Sequence, residues 1–142
     1  MNELVHFLRA RLDEDEALAR EAPPGPWHIG NAVDPTQPCH VHTFPGARLV
    51  GDGLNWLVAE HIARQHPARI LAEVEVKRGL LDEHHNVNDG DCAVCVDGQW
   101  GYPTHGGSSP QHYPCRTLRL LALPYADHPD YRAEWRAGED TT

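Results

Sequence analysis

The stretch that decides the fold runs from His84-His85-Asn86 through Asp91-Cys92-Ala93-Val94-Cys95 to Tyr113-Pro114-Cys115. It holds three of the four cysteines and two adjacent histidines, which are side chains that zinc prefers. Two residues separate Cys92 from Cys95, which is the spacing of a zinc knuckle. Because the most helical segments of the chain lie on either side, the pattern predicts a structural metal site that joins them.

A tetrahedral zinc site needs four ligands, normally thiolates and imidazoles. Cys92 and Cys95 supply two from one tight turn, and Cys115 is the natural third because it lies at the start of a predicted helix. A thiolate there is stabilised by the free N–H groups and the positive end of the helix dipole. The fourth ligand is His84 or His85, since both follow the third predicted helix directly. Other competing ligands are Cys39, His40, His42, His105 and His112.

The energy of a metal site is large compared with the stability of a small protein. Structural zinc in peptides contributes roughly 10–16 kcal/mol of apparent binding free energy at neutral pH. A whole domain is stable by only about 5–15 kcal/mol. We therefore expect the metal to decide whether residues 84–123 are ordered, and we expect residues 86–114 to be loop-rich.

Composition and charge exclude several classes of protein. The 142-residue chain has a formal net charge of −9 with neutral histidines, which repels a phosphate backbone and disfavours nucleic-acid binding. The first residues lack the basic segment and apolar run of a signal peptide, and no apolar stretch approaches membrane-spanning length. We therefore expect a soluble cytoplasmic protein, in which a CxxC motif indicates metal or redox chemistry before a disulfide.

A chain of 142 residues is most simply one domain over residues 1–142, and hydrophobic periodicity with the positions of proline and glycine predicts the α+β class. We expect a small antiparallel sheet or meander packed with three to four helices, with the zinc knuckle as a hairpin insert. The predicted order is an N-terminal helix at 3–21, a β-rich segment at 27–52, helices within 54–84, and the knuckle with a C-terminal helix over 84–135.

Local patterns give sharper expectations for single elements. A second helix is predicted at about Asn55–Gln65, and a third from Pro67 to about Glu83. The residues expected on the buried face of the second helix are Leu57, Val58, Ile62 and Ala63. Gly51-Asp52-Gly53 is expected to end the β-rich segment, and Asp97-Gly98 indicates a two-residue hairpin turn.

Four blocks of sequence resemble a known family. They are Leu8–Asp15 (LRARLDED), Pro24–Trp27 (PGPW), Ala59–Arg78 (AEHIARQHPARILAEVEVKR) and Tyr113–Tyr131 (YPCRTLRLLALPYADHPDY). The chain is similar to small uncharacterised proteins of actinobacteria and their phages, which form a domain of unknown function. Members carry a histidine after the Lys-Arg helix, then a CxxC, then a Pro-Cys before Thr-Leu-Arg-Leu-Leu. The resemblance therefore implies the ligand set His84, Cys92, Cys95 and Cys115, and it brings no reaction.

A metal clamp without a convergent catalytic group favours a small zinc-binding protein that acts as a non-enzymatic accessory or protein-interaction module. Its acidic balance suits a basic protein partner. Two alternatives stay open: a zinc-dependent hydrolase or nuclease with Asp82, Asp91 or a spare histidine as general base, and a thiol redox protein using Cys92 and Cys95. The fourth coordination position separates scaffold from catalyst, because a protein ligand indicates a scaffold and a water facing a cleft indicates catalysis.

Overall fold

The computed structural model describes residues 2–30, 34, 36–97 and 109–138. These residues form four α-helices and two three-stranded antiparallel sheets, which confirms the α+β prediction. In chain order the elements are α1 (Glu3–Glu21), β1 (Trp27–Gly30), β2 (Cys39–Thr43), β3 (Leu49–Leu54), α2 (Trp56–Arg64), α3 (Pro67–Glu83), β4 (Asn86–Val87), β5 (Asp91–Val96), β6 (Pro110–His112) and α4 (Arg116–Ala122). None of the described helices has the length and apolar character needed to cross a bilayer.

Contacts divide the chain into two compact units. The first unit comprises Met1–Leu12 and Val76–Thr142, and the second comprises Asp13–Glu75. Helices α1 and α3 therefore contribute residues to both units. Compactness alone does not decide whether each unit folds by itself, so one domain over residues 1–142 stays a prediction.

The second unit contains the sheet β1-β2-β3, in which β2 is the central strand. Residues of β2 alternate between full and partial burial, as a strand does when one of its faces lies in a core. Val41 is fully buried and Cys39 nearly so, and both belong to one apolar cluster with Ala59 of α2. The alternate residues His40 and His42 lie on the other face of the strand.

The buried face of helix α2 agrees only in part with the one predicted. Leu57 is 75% exposed and Val58 is 49% exposed, so these two predicted core positions are wrong. The fully buried position is Ala59, and Ile62 and Ala63 pack against the same cluster as predicted. Leu57 precedes Ala59 by two residues, which places it about 200° around the helix and away from the sheet.

Strand β3 runs through the glycine-rich segment that was expected to end it. Gly51 pairs with Val41, and Leu54 pairs with Cys39, so the prediction of a strand end at Gly51-Asp52-Gly53 is wrong. Ladder hydrogen bonds use the backbone alone and do not depend on β-forming side chains. Gly53 has φ of +64°, which glycine adopts without strain, and the register of this pair is irregular beside it.

The first unit has its core along the start of α1 and helix α4. Leu4, Leu8 and Leu12 recur every four residues and are each at most 2% exposed. Leu118 and Ala122 of α4 are fully buried. An aromatic cluster forms around Phe7, whose ring centroid lies 5.1–6.3 Å from those of Tyr125, Tyr131 and Trp135. Aromatic pairs at such distances add to the stability that their burial provides, so this cluster holds the chain after α4 against α1.

Candidate metal centre

A tight turn between β4 and β5 folds the end of α3 back toward the cysteine pair. Asn88 and Asp89 have φ of +51° and +58°, and the Gly90 N–H donates to the Val87 carbonyl at 3.2 Å. Positive φ at both residues lets the chain reverse direction within the three residues that separate the paired Val87 and Asp91. Asn88-Asp89-Gly90 is thus a hairpin signal that the predictions above overlooked. The predicted turn Asp97-Gly98 includes Gly98, which lies outside the described residues.

Strand β6 brings the third cysteine to the same place. It pairs antiparallel with β5, with Asp91 opposite His112. The Tyr113 N–H donates to the Gly90 carbonyl at 2.8 Å, so the chain after β6 passes the start of β5. Cys115 follows two residues later as the N-cap of α4. The described part of residues 86–114 therefore forms a sheet where a loop-rich segment was expected.

Four donor atoms converge where the end of α3, strand β5 and the start of α4 meet. The Nδ1 atom of His84 lies 3.6 Å from the Sγ of Cys92, 3.3 Å from that of Cys95 and 3.4 Å from that of Cys115. All four donor atoms lie within 4.8 Å of one another. Across residues 2–30, 34, 36–97 and 109–138, no other three or more histidine, cysteine or acidic donors cluster this closely.

The spacing of these donors fits a tetrahedral zinc ion. Zinc–sulfur bonds of about 2.3 Å and a zinc–nitrogen bond of about 2.0 Å separate nitrogen from sulfur by about 3.5 Å in a tetrahedron. His84 is 8% exposed, Cys92 is 3% exposed and Cys115 is 1% exposed, while Cys95 is half-buried. Four protein donors would fill all tetrahedral positions, which is the arrangement of a structural site.

Burial and hydrogen bonding act in opposite directions on two of the thiols. Burial opposes ionisation of Cys92, but hydrogen bonds from the backbone N–H groups of Val94 and Cys95 bring its pKa below the ordinary value of 9.0. Burial raises the pKa of Cys115 from 9.0 to about 12, more strongly than the Leu118 backbone N–H group lowers it. The expectation that the start of a helix favours a thiolate at Cys115 is therefore overridden by desolvation.

The raised pKa of Cys115 sets the direction of two pH effects. In the metal-free protein, the folded state holds this proton more tightly than the unfolded chain does. The resulting stabilisation is fully present below about pH 9.0 and is lost as the pH rises through about 12. A bound metal requires the thiolate instead, so metal binding displaces the proton and weakens as the pH falls.

Polar groups around the cluster orient its ligands. The Oγ1 of Thr117 lies 3.7 Å from the Sγ of Cys95, within hydrogen-bonding range of sulfur. The side-chain oxygen of Gln111 accepts a hydrogen bond from the Arg116 backbone N–H at 3.1 Å, which caps α4 beside Cys115. Outer contacts of this kind tune the affinity of metal sites. They were not predicted, because they depend on the position of β6 against α4.

The competing ligands lie elsewhere. A ring nitrogen of the exposed His85, Nδ1, lies 3.0 Å from the Asp82 carbonyl oxygen, so His84 faces the three sulfurs and His85 does not. The Cys39 thiol donates to the Leu54 carbonyl at 3.2 Å. The other candidate ligands within the described residues, His40, His42 and His112, also lie outside the four-residue cluster. His105 lies outside the described residues.

Fold and site together define a small α+β protein with a largely buried cluster of one histidine and three cysteines, a donor set that structural zinc sites use. The chain belongs to a family of unknown function, DUF6221, whose profile matches residues 1–137. Comparison with curated proteins gives no significant match, and comparison with solved structures gives none either. The family assignment agrees with the resemblance to a domain of unknown function and adds no reaction.

Proposed function

We propose that His84, Cys92, Cys95 and Cys115 hold one structural Zn²⁺ ion, and that the protein is a non-enzymatic accessory or interaction module. The observation that carries this proposal is the approach of one imidazole nitrogen and three sulfurs to tetrahedral spacing. Thiolates together with imidazole favour zinc, whereas magnesium and calcium prefer oxygen ligands.

The ion would connect the end of α3, strand β5 and the start of α4. Strand β4 has two residues and β6 has three, so the second sheet is small. Zinc that contributes roughly 10–16 kcal/mol exceeds what so small a sheet supplies on its own. We infer that residues 84–123 depend on the metal for their order.

Catalytic and redox functions gain less support from the same contacts. The Asp82 carboxylate, one of the candidate general bases, accepts a hydrogen bond from Arg9 at 2.9 Å. Four protein donors leave no coordination position for a reacting water. Cys92 and Cys95 lie on strand β5 beside a third cysteine and a histidine, whereas a redox CxxC pair opens a helix in thioredoxin-like folds.

The role in interaction rests on apolar side chains beside the cluster. Val94, between two of the proposed ligands, is 55% exposed, and Leu120, on the helix that Cys115 begins, is 45% exposed. A contiguous exposed apolar patch marks an interaction surface, so we take these two side chains as candidate contact points for a partner. The net charge of −9 favours a basic protein partner, and thiolate ligands suit a reducing compartment such as the cytoplasm of an actinobacterial or phage-infected cell.

Element-resolved metal analysis of freshly purified, untagged protein tests the metal assignment. We expect one zinc per chain in the wild type, loss of that zinc in Cys95→Ser, and retention in Cys39→Ser, whose thiol lies outside the cluster. Stoichiometric zinc in Cys95→Ser would contradict the ligand set. A metal-free protein with a reversible disulfide between Cys92 and Cys95 would support the redox alternative.

A pull-down with zinc-loaded protein tests the interaction role. Val94→Asp places a charge on the exposed side chain between two ligands without changing a donor atom. We expect this variant to keep its zinc and lose the partner that the wild type binds. An identical set of bound proteins in both samples would argue against this surface.

A further inference from the structure

A second group of histidines lies on the outer face of the sheet β1-β2-β3, in the second unit. His28 and His42 are direct cross-strand partners. His40 and His42 are two residues apart on β2, so their side chains share a face. The ring centroids of His40 and His42 are 5.3 Å apart, and those of His28 and His42 are 6.4 Å apart.

The position of Gly30 shows where His40 points. Gly30 is the cross-strand partner of His40, and a Cβ atom on it would lie only 2.1 Å from the His40 Nε2. The imidazole of His40 therefore lies over the Gly30 backbone and reaches across strand β1. That strand also carries His28, so the absence of a side chain at Gly30 lets the imidazoles approach one another.

The central histidine has a ring nitrogen without a hydrogen bond. In the described part of the chain, His42 Nδ1 is buried and has no hydrogen-bond partner. Buried polar atoms normally have a partner, so this nitrogen is an exception that a ligand would explain. A lone pair on a neutral imidazole is a metal donor, and metal coordination would satisfy it.

We propose that His28, His40 and His42 form a second metal site, a three-imidazole site for a divalent transition metal such as Ni²⁺ or Cu²⁺. Two imidazoles that bind one ion at about 2.0–2.1 Å have ring centroids roughly 5–6 Å apart, which the pair His40 and His42 already satisfies. The donor nitrogens of the three imidazoles do not cluster as closely as those of the cysteine cluster, so the exposed His28, whose ring centroid lies 5.1 Å from that of Phe44, must rotate toward the pair to complete the site. Imidazole donors select these metals over magnesium and calcium, and three of them leave a position for water.

Calorimetric titration with Ni²⁺ tests this site in the full chain, after one equivalent of Zn²⁺ has filled the cysteine cluster. We expect one further equivalent in the wild type. His28→Ala and His42→Ala should each weaken Ni²⁺ binding by about 100-fold or more, because even outer-shell changes cost roughly 10- to 100-fold in metal affinity. The matched control is His61→Ala, an exposed histidine of α2 in the same unit, which should keep the wild-type affinity.

Three results would overturn the second site. They are no further equivalent in the wild type, wild-type Ni²⁺ affinity in His28→Ala, or an equal loss in His61→Ala. Circular dichroism of each variant checks the fold, and His28→Ala decides if His42→Ala unfolds, because His28 is exposed. Co²⁺ separates the two sites, since only the cysteine cluster can give thiolate-to-metal charge-transfer absorption. The proposed imidazole site can therefore be confirmed or refuted independently of the proposed zinc cluster.

Discussion

Replacement of Cys115 by serine should abolish the dependence of protein stability on zinc. Cys115 is 1% exposed and lies 3.4 Å from His84 Nδ1, so serine fits the space but supplies no thiolate. A ligand that binds only the folded state stabilises it by about 4.1 kcal/mol at 1,000 times its dissociation constant. For a chain of this length, roughly 2–4 °C per kcal/mol converts this loss into a fall in Tm of roughly 8–16 °C.

Denaturant unfolding at a series of buffered free zinc concentrations measures this effect. The free energy of unfolding of the wild type should rise by about 1.4 kcal/mol for each tenfold increase in zinc above the dissociation constant. Cys115→Ser should show no such slope. A buried serine hydroxyl also changes stability by about 1–3 kcal/mol if it lacks a partner, which is why the slope is compared and not the absolute stability.

Cys39→Ser is the matched control for this experiment. Cys39 is 2% exposed, and its thiol donates to the Leu54 carbonyl at 3.2 Å, outside the four-residue cluster. Any change in stability that this variant causes should be independent of zinc, so its zinc slope should equal that of the wild type. A wild-type slope in Cys115→Ser, or the absence of a slope in the wild type, would refute the reasoning.

Three further predictions follow from the described contacts. Zinc binding at neutral pH should release protons and weaken on acidification, because burial raises the pKa of the Cys115 thiol to about 12 and the metal needs its thiolate; calorimetry in buffers of different ionisation enthalpy checks this. Gly90→Ala should destabilise the protein by about 1–3 kcal/mol and weaken zinc binding, since it forces an L side chain to φ of +148°. Its control is Gly79→Ala, which lies within α3 where a Cβ atom meets open space. In the same denaturation assay this control should stabilise the protein by about 0.5–1 kcal/mol. Phe7→Ala should lower the free energy of unfolding by about 3–5 kcal/mol, because Phe7 is 5% exposed at the centre of the aromatic cluster; a change below about 1 kcal/mol would contradict that role.

The two wrong predictions, of the buried face of α2 and of the end of β3, have a common physical origin. Periodicity predicted that α2 exists, but it did not predict that Ala59 would face the sheet and Leu57 would face outward. The glycines at 51 and 53 predicted the end of a strand, but β3 continues through both of them because it pairs with β2. In each case a contact with a distant segment outweighed a local preference, and a short window of sequence contains no information about such contacts.

The sequence by itself determined the ligand types, the CxxC spacing and the leucine repeat of α1, because these depend only on side-chain chemistry and on the periodicity of a helix. Side-chain chemistry and spacing left His84 and His85 as alternatives, and the family resemblance implied His84. The tertiary structure places His84 and not His85 against the sulfurs, since the turn at Asn88-Asp89 sets the register of β4 against β5. It also decided the raised pKa of the Cys115 thiol, because desolvation depends on the segments that pack around a group and not on its neighbours in the chain.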